Sequence, residues 1–394
     1  MKKERNYTID FYRFLFALGF VFGHIAIVST RSFFNTTSSF TFGFDTLLVF
    51  IALAGYFLMD NFKRQQQASI DNKIPPVTQA WTYLKGRIRG MGPWFLLANL
   101  LGFIALRIWK QTPILQWFDA FLNHLGEFFG LMLTGFGMGT PFDGMFGEAP
   151  AEIIFLCQPV WFISGLFICS YLLYFLLARN EKVAVGIIVP FTTILFWGSL
   201  YITGKTPNWP LFWNLGDFTI NLGLIDMFCS LGIGCVIWTA VNALKDKKFT
   251  KPVTVVLTIV QAFFMLFIPF RTLVPLNLPG NPFTFNWGPA YIICVLFTFL
   301  LVLNKDGATK VLNHKVFGYL GGLAMYVYML HWPFIIGVYA VAPSLAENMP
   351  LYILIVVVLS FATSILAFSL NKKLQAWLRS EPWFVKETAD SAKG

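Results

Sequence analysis

The sequence predicts an all-α fold, a polytopic membrane bundle of about ten transmembrane helices, and three observations carry that reading. Of its 394 residues 57% are hydrophobic and only 12% charged, which is more apolar side chain than one soluble core hides. The apolar runs reach about twenty residues, the length at which a helix crosses the hydrocarbon layer, whereas barrel strands show alternating segments of about ten. Lipid offers no partner to backbone polar groups, so runs of this length have to be helices.

Apolar windows place the spans at roughly 9–30, 40–60, 93–109, 158–178, 183–203, 218–241, 252–270, 286–303, 316–337 and 350–370. With the N-terminus inside, 23 of the 29 Lys and Arg fall in inner segments, five fall outside, and Arg13 lies within the first span. This is the positive-inside pattern, and it puts both termini in the cytoplasm of a plasma or inner membrane protein. It also accounts for the net charge of +10 without a nucleic-acid partner. The lipid bilayer is the first partner implied.

Taken in order, the first run, IDFYRFLFALGFVFGHI, is long enough to span and is followed by no small-residue cleavage region, so it is expected to remain attached. Residues 61–92 read as a basic cytoplasmic connection. Residues 111–157, with the Gly- and Phe-rich stretch FFGLMLTGFGMGTPFDGMFG, read as an outer cap partly embedded in the membrane or, equally, as an interfacial helix. Residues 1–371 form a single transmembrane domain with no internal repeat, and 372–394 form a short cytoplasmic tail. Cys157, Cys169, Cys229, Cys235 and Cys294 show no CxxC or CxxH spacing, so neither a disulfide framework nor a metal site is expected.

Ionisable groups inside spans are costly and mark polar interiors. Arg13 and His24 are eleven residues apart, about 1100° of helix and within about 20° of three full turns, with a rise of about 16.5 Å. They share one face, Arg13 near the inner end and His24 in the outer half. Asp10, one turn before Arg13, can pair with it. Two readings follow: Arg13 snorkels to headgroups while His24 fills a helix contact, or the face lines a substrate path from a basic mouth to a buried imidazole. The shared face favours the path.

Arg, ten residues, then His in the first span resembles the signature of the acyltransferase-3 family of membrane O-acyltransferases. VFIALAGYFL (Val49–Leu58), with Gly55 and Tyr56, is similar to that family's second span. YLKGRIRGMGPWF (Tyr83–Phe95), ending at Pro93, resembles its basic segment. PVWFISGLF (Pro159–Phe167), IDMFCSLGIG (Ile225–Gly234) and YVYMLHWPFII (Tyr326–Ile336) resemble later segments, the last with a Tyr-x-x-His-x-Pro pattern. Ala54, Leu48, Gly90, Ala324 and Met325 depart from the residues frequent in the family, while Arg13, His24, Tyr328 and His331 do not.

The resemblance implies an acyltransferase that moves an acyl group, acetyl first among the candidates, from acetyl-CoA or another acyl-CoA in the cytoplasm to a hydroxyl of a cell-envelope glycan or lipid-linked glycan. The phosphates of such a donor call for fixed cations, which Arg13, Lys85, Arg87 and Arg89 supply at the inner mouth; the alternative, equally open, is that the last three are simply topology determinants. Acyl transfer needs a base active near neutrality, and His24 suits that role or that of a transient acyl carrier. His331, at similar depth, is a second candidate. Asp226, about mid-span in the sixth helix, is a candidate orienter or acid. Asp45, Trp161 and Tyr328 are candidates for the acceptor site. No Gly-rich phosphate loop, metal-ligand cluster or Gly-x-Ser-x-Gly elbow is present in the sequence.

Two other classes compete. A proton-coupled transporter or flippase of a glycan or small metabolite would use Arg13 as an anion site and His24, Asp226 or His331 as a relay, but the paired interrupted repeats common in transporters are missing from the sequence. A sensor or scaffold would leave the inward ionisable residues without a purpose.

Overall fold

A computed structural model of the chain describes residues 5–28, 42–119, 122, 136–138, 157, 160–202, 212–215, 218–221, 223–273 and 287–380. The helices are α1 (Tyr7–Val28), α2 (Phe42–Asp71), α3 (Pro76–Trp109), α4 (Trp161–Val183), α5 (Val189–Ile202), α6 (Gly223–Leu244), α7 (Lys251–Leu273), α8 (Trp287–Leu303), the short α9 (Gly307–Val311), α10 (Val316–Val341) and α11 (Met349–Ser380). The bundle is helical, as the apolar runs require. Among the described residues, eight stretches are long and apolar enough to cross a membrane, and Ala290–Leu303 is a shorter apolar helix.

One of the eight, Phe162–Ile202, has 41 residues, about 60 Å if straight, twice the hydrocarbon thickness. It is not straight. Asn180 has φ −161° and ψ 94° inside the run, and its side-chain oxygen accepts a hydrogen bond from Val183 N at 3.2 Å. On α4, Gly165 packs against Leu224 and Met227, and on α5, Trp197 donates to Asp226 at 2.8 Å. Residues 165 and 197 therefore stand at the same level of α6. The chain folds back near Asn180, and α4 and α5 are antiparallel passes joined by a π-helical turn, Ala184–Ile188.

Helix directions alternate accordingly. Tyr7 meets Gly318 and His24 meets His331, so α1 and α10 run parallel. Phe368 of α11 packs on Gly322, so the start of α1 and the late part of α11 reach the same end of the bundle. Two contacts depend on glycine as the small residue that lets helices approach closely in lipid. A Cβ on Gly55 of α2 would collide with the Leu231 carbonyl of α6, and one on Gly321 of α10 would collide with Asp10 of α1.

The structure corrects the expected connection 61–92. Helix α2 continues to Asp71 and α3 begins at Pro76, the imide fixing the first turn, so only residues 72–75 link two helices that extend past the apolar windows. The windows locate the hydrocarbon, not the helix ends. The sixth span is also shorter than its window. Residues 218–221 form strand β3, which pairs antiparallel with β1 (Phe136–Met138) and β2 (Phe212–Leu215), and α6 starts only at Gly223. Most of the 111–157 connection and the residues after 380 lie outside the described residues.

Candidate active site

Helix α1 organises the site. Asp10, with a side chain 6% exposed, accepts from Arg5 Nε at 2.7 Å and lies 3.6 Å from Arg13 Nη1. The hydrogen bond to Asp10 raises the pKa of Arg5 above its ordinary value. The carboxylate, wedged against Gly321, thus ties two guanidinium groups to the inner end of the α1–α10 contact.

Arg13 lines two cavities, and Phe57 lines both with it. The larger one, of about 780 Å³, is a vestibule at the N-terminal end of α1 whose walls carry five cations, Arg5, Arg13, Arg64, Lys245 and Lys305, facing two carboxylates. Arg64 pairs with Asp60 at 3.2 Å, as Arg5 and Arg13 do with Asp10, which leaves the vestibule net positive. The second cavity, of about 350 Å³, runs from Arg13 and Arg87 between apolar walls such as Leu53, Ile163 and Leu166 to the rings of Phe20, Phe162 and Tyr328. Arg87 is held by the Tyr83 hydroxyl, 3.0 Å from its Nε.

One turn beyond Phe20 stands His24. Its ring is stacked with Phe20 at 6.2 Å and with His331 at 5.0 Å between centroids, and the edge of Trp332 meets it at 5.6 Å. His24 Nδ1 lies 2.8 Å from His331 Nε2, and His331 Nδ1 lies 3.0 Å from the Val327 carbonyl oxygen. A carbonyl only accepts, so His331 carries its proton on Nδ1. In the neutral pair, His331 Nε2 is then the acceptor, His24 Nδ1 donates to it, and the free lone pair of His24 is on Nε2. A histidine whose tautomer is fixed by a second ring has one nitrogen left for proton transfer. His331 is fully buried.

The structure thus brings Arg13, Arg87 and Tyr328 to one cavity and places His24 and His331 against two of its lining rings, Phe20 and Tyr328. It does not bring Lys85 or Arg89 there. With the connection helical, positions 85 and 89 share a face about 40° apart while 87 lies on the opposite one. The Lys85 ammonium sits over the Trp81 ring at 5.9 Å, and neither Lys85 nor Arg89 lines the cavity. Asp226 is in the first turn of α6, not mid-span, because the helix starts at Gly223. Its carboxylate is bound by Trp197, away from both cavities. Asp45 and Trp161 hold backbone positions in the first turns of α2 and α4; their side chains lie outside the described residues.

Sequence reasoning missed the vestibule cations Arg5, Arg64, Lys245 and Lys305, which charge counting absorbs into the topology signal. It also missed Phe20 and Phe162. Their signal was faint: Phe20 is four residues before His24, and Phe162 lies in the quoted PVWFISGLF segment.

Comparison with known proteins accords with this layout. No curated protein and no solved structure matches the chain. The family described as an acyltransferase domain, acyltransferase-3, matches residues 6–369, which takes in every helix from α1 to most of α11 and every residue lining the two cavities except Arg5. A match over nearly the whole chain settles the family: the protein is a multi-pass membrane acyltransferase and belongs to the acyltransferase-3 family.

Proposed function

We propose that the protein transfers an acyl group from cytoplasmic acyl-CoA, with acetyl-CoA as the leading donor, to a hydroxyl of a cell-envelope glycan or lipid-linked glycan at the outer face of a plasma or inner membrane. The observation that supports this reading is a cation-lined vestibule that shares Arg13 and Phe57 with an apolar cavity whose lining includes Phe20, one turn short of the His24–His331 pair. Phosphates suit the vestibule, because Arg and Lys bind them by charge-assisted hydrogen bonds. The thin, mostly uncharged pantetheine arm suits the cavity, whose volume is in the range that holds a small ligand.

The residues then divide the chemistry. Arg13, held by Asp10, and Arg87 fix the donor from the inner side. His24 Nε2 takes the proton of the acceptor hydroxyl as its oxygen attacks the thioester carbonyl carbon. The carbon–sulfur bond breaks, and the same proton passes to the departing thiolate, so that ester and thiol are the products. Ten crossings with both termini in the cytoplasm accompany this reading. The parallel α1–α10 pair, the fold-back at Asn180 and the basic inner ends support that topology.

The test is genetic and chemical. Mass spectrometry of envelope glycans from cells with the gene should show an acyl mass, 42 for acetyl as a chemical increment on the order of one added C2H2O unit, that is missing without the gene and in His24→Ala or Arg13→Ala cells. Wild-type acylation in the folded, inserted His24→Ala protein would overturn the proposal.

A further inference from the structure

We propose that Phe162 and Phe20, packed about Tyr328, form an aromatic collar that limits the donor to short acyl chains. This rests on the acyl-CoA reading above and assigns the residues that set its acyl specificity.

The collar is defined by ring geometry. Phe20 meets Tyr328 edge to face at 5.2 Å, and Phe162 meets it from another side at 5.5 Å. These three rings come from α1, α4 and α10 and line the 350 Å³ cavity, and two of them, Phe20 and Tyr328, are the ones that touch the histidine pair. Beyond them, the space is occupied by side chains. His24 is stacked between Phe20 and His331, Trp332 abuts His24, and Tyr328 packs on His331 at 6.1 Å. Trp332 is 2% exposed and His331 not at all.

A donor entering from the vestibule leads with its acyl tail, because the nucleotide stays with the cations. For the carbonyl carbon to reach His24, every tail carbon has to pass the collar first and fit among the imidazoles. Two carbons need little room there. Each further methylene has to displace an aromatic ring from an interlocked set, and packed interiors resist added volume. The apolar cavity below the collar does not relieve this, since the pantetheine arm occupies it when the carbonyl is in reach of His24. Of the collar residues, Phe162 is the one whose ring contacts neither histidine directly in the contacts above, so it alters the aperture with the least disturbance of the proton site.

The experiment measures binding by melting-temperature titration of the detergent-purified full chain with CoA, acetyl-CoA and hexanoyl-CoA. The wild-type protein should bind acetyl-CoA at least about tenfold more tightly than hexanoyl-CoA, since a single unaccommodated methylene in a pocket costs tenfold or more. Phe162→Ala should bring that ratio to within about threefold, and Phe162→Leu, which keeps most of the packing volume, should move it part of the way. CoA binding by each variant reports that its fold is intact. Equal binding of acetyl-CoA and hexanoyl-CoA by the wild type, or an unchanged ratio in both variants, overturns the collar assignment while leaving the donor reading standing. If neither CoA nor either thioester shifts the melting temperature, the donor reading falls and the collar with it.

Discussion

Nδ1 of His24 stands 2.8 Å from Nε2 of His331, joining two residues 307 positions apart in the chain. Because the Val327 carbonyl accepts from the other nitrogen of His331, the direction of this contact is determined, and the two rings have unequal roles. On the proposed mechanism, His24 presents a lone pair and His331 positions it.

The first prediction separates those roles. His24→Ala should lower the rate of acyl transfer by about two to four orders of magnitude, the usual range for loss of a positioned base. His331→Ala should lower kcat by a smaller factor, roughly tenfold to a hundredfold, with KM for the donor unchanged. Assays of inserted protein in membranes with acetyl-CoA as donor would show it; a raised KM with constant kcat in His331→Ala would assign the residue to binding instead.

Arginine position is the second. Arg87 lines the cavity whereas Lys85 and Arg89 do not, so Arg87→Ala should weaken CoA binding by about tenfold or more, in keeping with loss of a charge-assisted contact. Lys85→Ala and Arg89→Ala, at positions that do not line the cavity, should change it by less than about threefold. Binding titrations at fixed ionic strength decide, and equal losses in all three would return them to the status of a diffuse basic patch.

Asp10 holds Arg13 at the wall of the vestibule. Asp10→Asn keeps the shape but removes the charge that faces Arg5 and Arg13, and it should raise the donor's Kd by roughly five- to thirtyfold, the effect of about 1–2 kcal/mol. Unaltered donor binding in a folded Asp10→Asn protein would mean that Arg13 is held in place by packing alone.

Gly55 carries a purely architectural prediction. A methyl there meets the Leu231 carbonyl, so Gly55→Ala should destabilise the detergent-solubilised protein by about 1–3 kcal/mol through overpacking. Asp226→Ala should destabilise it by a similar roughly 1–3 kcal/mol, by leaving the Trp197 indole N–H without its acceptor, and should keep its transfer rate per folded molecule. Thermal denaturation together with activity normalised to folded protein checks both, and a selective loss of rate in Asp226→Ala would restore a chemical role to that carboxylate.

The sequence alone disclosed the helical bundle and the shared face of Arg13 and His24, because long apolar runs and an eleven-residue spacing are local properties of one helix. What it hid depends on where helices end and on which neighbours they meet. The helical continuation of α2 and α3 beyond their apolar windows sends Arg87 one way and Lys85 and Arg89 the other, and hydropathy has no means of showing it. The start of α6 at Gly223 rather than at 218 moves Asp226 from mid-helix to the first turn, because β3 takes the residues in between. The vestibule cations come from α2, α6 and the ends of α1 and α8, a convergence that only tertiary packing creates. The His24–His331 contact likewise belongs to the pairing of α1 with α10 and to neither helix alone.

That pairing also constrains how such a chain can vary. With α1 and α10 parallel, the polypeptide between them has to traverse the bilayer an odd number of times for His331 to arrive at the level of His24. Deletion or insertion of a single crossing would invert α10 and carry its imidazole to the opposite leaflet, so spans between the two helices can be lost or gained only in pairs. Parity of crossing is thereby a requirement of the chemistry as much as of the topology.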